Sequence, residues 1–177
     1  MTTNIIIAGF GGQGILFAGK ILAYAALLTG KHLSWLPSYG PEMRGGTANC
    51  HVIVSDEPVA SPIINNPDVL IGMNKPSFDK FENTVVENGY IIIDSTLIDR
   101  EIARSDVKAY AVPATKTATD AGKGNLANMV MLGALIKATG IFTLEEIRKG
   151  VEKTTPASKQ HLVEVNMEMI QKGYDLA

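Results

Sequence analysis

The sequence predicts an α/β fold: a Rossmann-like, mostly parallel sheet with helices on both faces and a short antiparallel insertion. Three observations predict it. Short β-branched runs alternate with apolar stretches at helical spacing over most of the 177 residues. The first run ends in Gly9-Phe10-Gly11-Gly12-Gln13-Gly14 and passes straight into a helical pattern, making a strand–loop–helix unit. Two strands then follow one another with no room for a crossover helix, which requires an antiparallel excursion. No repeat, low-complexity tract or long linker divides the chain, so residues 1–177 read as one domain.

Taken in order, Asn4–Ala8 is a β-branched run suited to a strand buried on both faces. Ile15–Leu28 carries apolar residues at helical spacing and stops at Thr29-Gly30. Lys31–Leu36 reads as a second strand, and residues 37–46 ("PSYGPEMRGG") as a shaped loop rich in Gly and Pro. Thr47–Ser55 alternates and is β-branched, and Asp68–Met73 is a further buried strand beyond the turns at Asp56-Glu57-Pro58 and Asn65-Asn66-Pro67. Pro76–Glu87 is predicted helical with Pro76 in its first turn, followed by strands over Tyr90–Asp94 and Val107–Val112. The remainder is read as helices over Ala114–Ala121, Leu126–Thr139 with Asn125 as N-cap, Leu144–Lys153 and Ser158–Lys172. The Leu126 helix is apolar nearly all round, which suits burial between its own sheet and a second surface, here read as a partner subunit.

A chain of this size buries roughly two thirds of its unfolded surface and needs no metal or disulfide to fold. Its net charge of −2 and pI near 5.9 leave no basic stripe for a phosphate backbone, so nucleic acid is not an expected partner. The single cysteine, Cys50, cannot form an internal disulfide or supply the thiolates of an iron–sulfur cluster, so any electron carrier belongs on another chain. Cys50 and His51 are neighbours in a strand and point to opposite faces, which argues against a thiolate–imidazole pair. His32, His51 and His161 lack metal-ligand spacing, and no metal is expected. No apolar run reaches the roughly 20 residues of a membrane span and no leader is evident, so the expected location is cytoplasmic.

The glycine loop admits several uses. Gly9, Gly11 and Gly14 permit a tight turn and leave helix N–H groups aimed at an anion, with Gly12 and Gln13 between them. A dinucleotide site also needs an acid at the end of the second strand for the ribose hydroxyl, but that strand end reads Ser34-Trp35-Leu36-Pro37. A stand-alone NAD(P)-binding Rossmann oxidoreductase and a purely structural interaction module, whose glycines only seat the first helix on the first strand, both stay open.

Two motifs together carry a resemblance. "GFGGQGILFAGKIL" followed by "LPSYGPEMRGGTANCHVIVSDEPVASPIINNPDVLIGMNKPSFDKF" is similar to the gamma subunit of 2-oxoacid:ferredoxin oxidoreductases, from about Ile5 to the C-terminus. The loops look most like the 2-oxoglutarate type. The resemblance implies a Rossmann-like subunit without catalytic residues of its own, packed on alpha and beta subunits and a ferredoxin-like delta subunit. It also implies thiamine diphosphate, Mg and iron–sulfur clusters held by the other chains, with electrons passed to ferredoxin. It further implies a subunit-interface or coenzyme A-side loop formed by Ser38, Tyr39, Gly40, Glu42, Arg44, Gly45, Gly46 and Asn49, beside the anion loop of Gly9, Gly11, Gly12, Gln13 and Gly14. Arg44 is suited to pairing a carboxylate or phosphate with Glu42 holding it, or the two form an interface ion pair.

Overall fold

The computed structural model describes residues 1–39 and 47–177. Among these residues six strands, β1 (Thr2–Phe10), β2 (His32–Tyr39), β3 (Thr47–Ser55), β4 (Val69–Gly72), β5 (Tyr90–Asp94) and β6 (Lys108–Val112), form one sheet in the order β2-β3-β1-β4-β5-β6. β1, β4, β5 and β6 run parallel, whereas β3 is antiparallel to both β1 and β2. The expected antiparallel insertion is therefore the β2–β3 hairpin, and it adds strands to the same sheet.

The isoleucine run of β1 is fully buried because both faces are covered. Its period of two sends Ile5 and Ile7 to one core and Ile6 and Ala8 to the other. The larger core lies under α1 (Ile15–Leu28), α3 (Ala114–Asp120), α4 (Ala127–Thr139), α5 (Leu144–Thr154) and α6 (Val163–Leu176). The smaller lies under α2 (Lys75–Phe81) and the strap of residues 95–107, which contribute Phe78, Ile98 and Ile102.

α4 buries every residue from Ala127 to Ile136, as its all-round apolar pattern requires. The second surface is not a partner subunit but α6 of the same chain. The helices approach so closely that a Cβ on Gly133 would lie 1.9 Å from the Ile170 carbonyl oxygen. α5 opens with a reciprocal cap: the Glu146 N–H donates to Thr143 Oγ1 at 3.2 Å and the Thr143 N–H to Glu146 Oε2 at 2.7 Å.

Several boundaries differ from the sequence expectation. Pro37, Ser38 and Tyr39 belong to β2 rather than to the loop; β2 is an edge strand, where proline's missing N–H costs no ladder bond. α2 starts at Lys75 because Asn74 caps it, accepting from the Ser77 N–H at 2.9 Å. It ends at Phe81, so that Val85 can leave the helix and enter the second core. Asn125 is not a cap; it lies in a 3-10 turn, Gly124–Leu126, that leads into α4. The last helix begins at Val163, behind a further 3-10 turn over Ala157–Leu162.

Two buried carboxylates hold connections in place. Glu82, 5 % exposed, accepts from Arg100 Nη2 at 2.7 Å and from the Ala103 N–H at 2.9 Å, tying the strap to the turn after α2. Asp94, fully buried at the end of β5, accepts from the Thr96 N–H at 3.0 Å and from the Thr115 N–H at 3.1 Å and hydroxyl at 2.5 Å. It thereby caps α3, whose own N-cap residue is Pro113.

Candidate functional site

In an open parallel sheet, the carboxyl ends of strands form a crevice wherever successive connections leave toward opposite faces. β1 continues into α1 over the larger core and its parallel neighbour β4 into α2 over the smaller, so the crevice lies between Phe10 and Met73. The glycine loop stands at its mouth.

Gly14 supplies the left-handed turn that starts α1, at φ 73°, and Gly12 sits at φ 97°. The first turn of α1 contains no acidic residue and, among the described residues, receives no side-chain cap. Phe10, Gly11, Gly12, Gly14, Ile15, Leu16, Phe17 and Ala48 line an open recess of about 320 Å³ in front of it.

Gln13 turns inward. Its Oε1 accepts from the Phe10 N–H at 2.6 Å and its Nε2 donates to the Met73 carbonyl at 2.9 Å. Behind it, Ser77 Oγ donates to the Gly9 carbonyl at 3.4 Å. From α4, Asn128 Nδ2 donates to the Gly14 carbonyl at 3.1 Å. Asn128 and Ser77 were not legible as site residues. The capping motif Asn74-Lys75-Pro76-Ser77 was an available signal for Ser77, whereas nothing local marks Asn128.

The second motif reaches the same edge. Tyr39 pairs with Ala48 and Ser38 with Asn49, while Ala48 pairs with Gly9 and Thr47 with Phe10. Both stems of the hairpin thus emerge beside the glycine loop. Ser38 is exposed and Asn49 buried. Gly40, Glu42, Arg44, Gly45 and Gly46 lie outside the described residues.

This topology removes the place where a dinucleotide's ribose would be held. The strand beside β1 on that side is antiparallel β3, whose first residues, not its last, adjoin the glycine loop. The Ser34–Pro37 stretch lies one strand farther out.

Cys50 and His51 face opposite cores, as expected. Cys50 packs under α1, donating to the Ile15 carbonyl at 3.6 Å, and burial pushes its thiol up to about 12 despite the neighbouring Trp35. Such a thiol is not a nucleophile at neutral pH. His51 Nδ1 accepts from the Ile64 N–H at 3.0 Å, and burial, reinforced by the Lys80 charge, holds its imidazolium below the usual range.

Residues 4–176 match the family described as pyruvate ferredoxin/flavodoxin oxidoreductase. A ketoisovalerate oxidoreductase subunit VorA from Methanothermobacter thermautotrophicus is 43% identical over 98% of this chain, which spans only 36% of that protein. The 2-oxoglutarate synthase subunit KorC of Methanocaldococcus jannaschii is 37% identical over 100% of this chain and 95% of its own length. Among solved structures, the gamma subunit of a keto/oxoacid ferredoxin oxidoreductase from Geobacter sulfurreducens superposes with a TM-score of 0.84 at 32% identity, covering 99% of this chain and 98% of that one. A 2-oxoglutarate:ferredoxin oxidoreductase chain from Magnetococcus marinus, solved with 2-oxoglutarate, coenzyme A and succinyl-CoA bound, gives 0.89 at 25% identity over 99% of this chain and 31% of that chain.

Proposed function

Because the chain belongs to the pyruvate ferredoxin/flavodoxin oxidoreductase family, we propose that it serves as the gamma subunit of a multi-subunit 2-oxoacid:ferredoxin oxidoreductase. The observation that carries this reading is the end-to-end likeness to KorC, a separate subunit of almost the same extent. In this role the chain supports the oxidative decarboxylation of a 2-oxoacid, the acyl group passing to coenzyme A and the electrons to ferredoxin. The likeness to KorC supports 2-oxoglutarate as the substrate. The ketoisovalerate subunits, similar over only about a third of their length, make a branched-chain 2-oxoacid the competitor.

The redox groups do not fit this chain's donor set. Among the described residues no three His, Cys, Asp or Glu side chains gather as a metal would require, and the one thiol is sealed beneath α1. Following the family resemblance, thiamine diphosphate, Mg and the iron–sulfur clusters are assigned to alpha, beta and ferredoxin-like delta subunits. Among the described residues no helix is long and apolar enough to cross a membrane.

What the chain itself contributes is one wall of a shared site. The start of α1 offers N–H donors to an anion, and the recess before it has room for part of coenzyme A. The family resemblance assigns Arg44 the pairing of a phosphate or carboxylate, with Glu42 holding it. Gly45 and Gly46 allow a partner's backbone or the ligand to approach. The test is reconstitution: the isolated chain oxidises no 2-oxoacid, but restores coenzyme A-dependent ferredoxin reduction when added to alpha and beta subunits. Reduction that proceeds equally well without it would overturn the assignment. An Arg44→Ala change that leaves assembly and the KM for coenzyme A untouched would remove the role given to that residue.

A further inference from the structure

We infer that Gln13 is a positioning residue: its amide occupies the crevice between β1 and β4 and thereby fixes the glycine loop that faces coenzyme A. The coenzyme A part of this statement rests on the proposed function above. The positioning itself rests on geometry in this chain.

Three bonds close the arrangement. The Gln13 N–H donates to the Phe10 carbonyl at 3.2 Å, the Phe10 N–H returns to Gln13 Oε1 at 2.6 Å, and Gln13 Nε2 reaches across to the Met73 carbonyl at 2.9 Å. One side chain therefore ties the end of β1 to the end of β4, the two strands whose helices depart toward opposite faces. Its amide accepts at one atom and donates at another, which an ionised acid or an apolar side chain of similar length cannot do.

The glycine at position 9 now has a specific reason. A Cβ there would stand 2.5 Å from Gln13 Oε1 and 2.8 Å from Ile15 Cδ1. In a dinucleotide fold the glycines of this loop make room for a pyrophosphate; here the first of them makes room for an amide of the same chain. With the crevice filled from within, Gly11, Gly12 and Gly14 are held on the outer side, lining the recess in front of α1. Ligand recognition is thus moved from inside the crevice to its rim, and Gln13 sets the shape of that rim without touching the ligand.

The experiment uses Gln13→Ala and Gln13→Met, the second preserving most of the volume while deleting both amide bonds. Amide hydrogen exchange in the isolated chain tests the positioning. Exchange at Phe10–Gly14 is expected to rise at least tenfold in both variants, and unchanged exchange overturns the inference whatever the ligand. In the enzyme reconstituted with alpha and beta subunits, the KM for coenzyme A is expected to rise about tenfold, while kcat and the KM for the 2-oxoacid stay within twofold. Faster exchange with an unmoved coenzyme A KM overturns the link to coenzyme A. A wild-type chain that confers no coenzyme A dependence sinks the proposed function instead, leaving the exchange result to decide on Gln13 alone. If Gln13→Ala does not fold, Gln13→Met carries both readouts.

Discussion

Gly173 of α6 rests directly on Val130 of α4: a Cβ at position 173 would lie 1.8 Å from the Val130 carbonyl oxygen and 2.6 Å from its carbon. The obstacle is backbone inside a helix, which cannot rotate aside as a side chain would. Gly173→Ala must therefore push the two helices apart, and overpacking of this kind costs about 3 kcal/mol. In a domain of this size that corresponds to a fall in melting temperature of roughly 6–12 °C, read by thermal and urea denaturation. Gly150→Ala, where the nearest obstacle is the Ile21 carbonyl oxygen at 2.7 Å, is expected to cost less. Equal stability of the Gly173 variant and wild type would mean that α6 does not pack on α4 in this way.

Glu82 gives a second prediction. It is a buried carboxylate whose oxygens serve Arg100 and the Ala103 N–H, while Arg100 also pairs with Asp79 and stacks 4.1 Å from the Phe78 ring centroid. Glu82→Ala removes the acceptor of both Arg100 and the Ala103 N–H, and hydrogen bonds to a charged group are worth about 2 kcal/mol. Glu82→Ala is expected to lose that much in urea denaturation and to open the strap of residues 95–107 to limited proteolysis. Arg100→Ala leaves the buried Glu82 carboxylate without its cation and should lose more, about 3 kcal/mol. A Glu82→Ala chain as resistant to protease as wild type would show that the strap is held by its isoleucines alone.

Cys50 makes a chemical prediction. A Cβ on Gly19 would lie 2.5 Å from Cys50 Sγ, so α1 covers the sulfur closely, and the raised thiol pKa leaves almost no thiolate at neutral pH. Iodoacetamide should modify the native chain at least a hundredfold more slowly than the urea-unfolded one, followed by mass spectrometry. Gly19→Ala should narrow that gap by loosening α1. Rapid alkylation of the native chain would contradict the seat described for Cys50.

How far the sequence carried depends on whether the information is local. The Asn4–Ala8 run, the Thr29-Gly30 stop and the β2–β3 hairpin follow from period, glycine and spacing, and the structure reproduces them. The all-round apolar face of α4 was legible too, but not its cover. The small residues Gly133 and Gly173, which let α6 approach, lie 40 positions apart and mean nothing until they meet. The candidate site divides in the same way. Gly9–Gly14 and the hairpin stems could be named from motifs, and register places them at one edge. The bond from Gln13 to Met73 spans 60 residues and depends on which strand neighbours β1, which no local pattern encodes.

The connection from β3 to β4, which carries Ile64, predicts a pH dependence. His51 Nδ1 accepts the Ile64 N–H, which requires the neutral imidazole, and both burial and the Lys80 charge disfavour protonation in the folded chain. The folded pKa thus lies below the unfolded value of about 6.5, so the unfolded chain binds more protons between the two. Stability from this group is full above the unfolded value. It falls as pH drops toward the folded one, by at most about 1.4 kcal/mol per pH unit, and then levels off. His51→Gln, whose amide oxygen can take over the Ile64 bond without titrating, should flatten this part of the profile. Urea denaturation at intervals from pH 7.5 to 5 measures it, together with the exchange rate of the Ile64 amide corrected for its intrinsic pH dependence. Exposed Asp56, bridging Lys31 and the N-terminal ammonium, is lowered to about 2 and acts only in more acid solution, below its unfolded value of about 3.9, so it does not confuse the window. If wild type and His51→Gln lose stability in parallel as the pH falls, His51 is not the group that fastens Ile64 to the sheet.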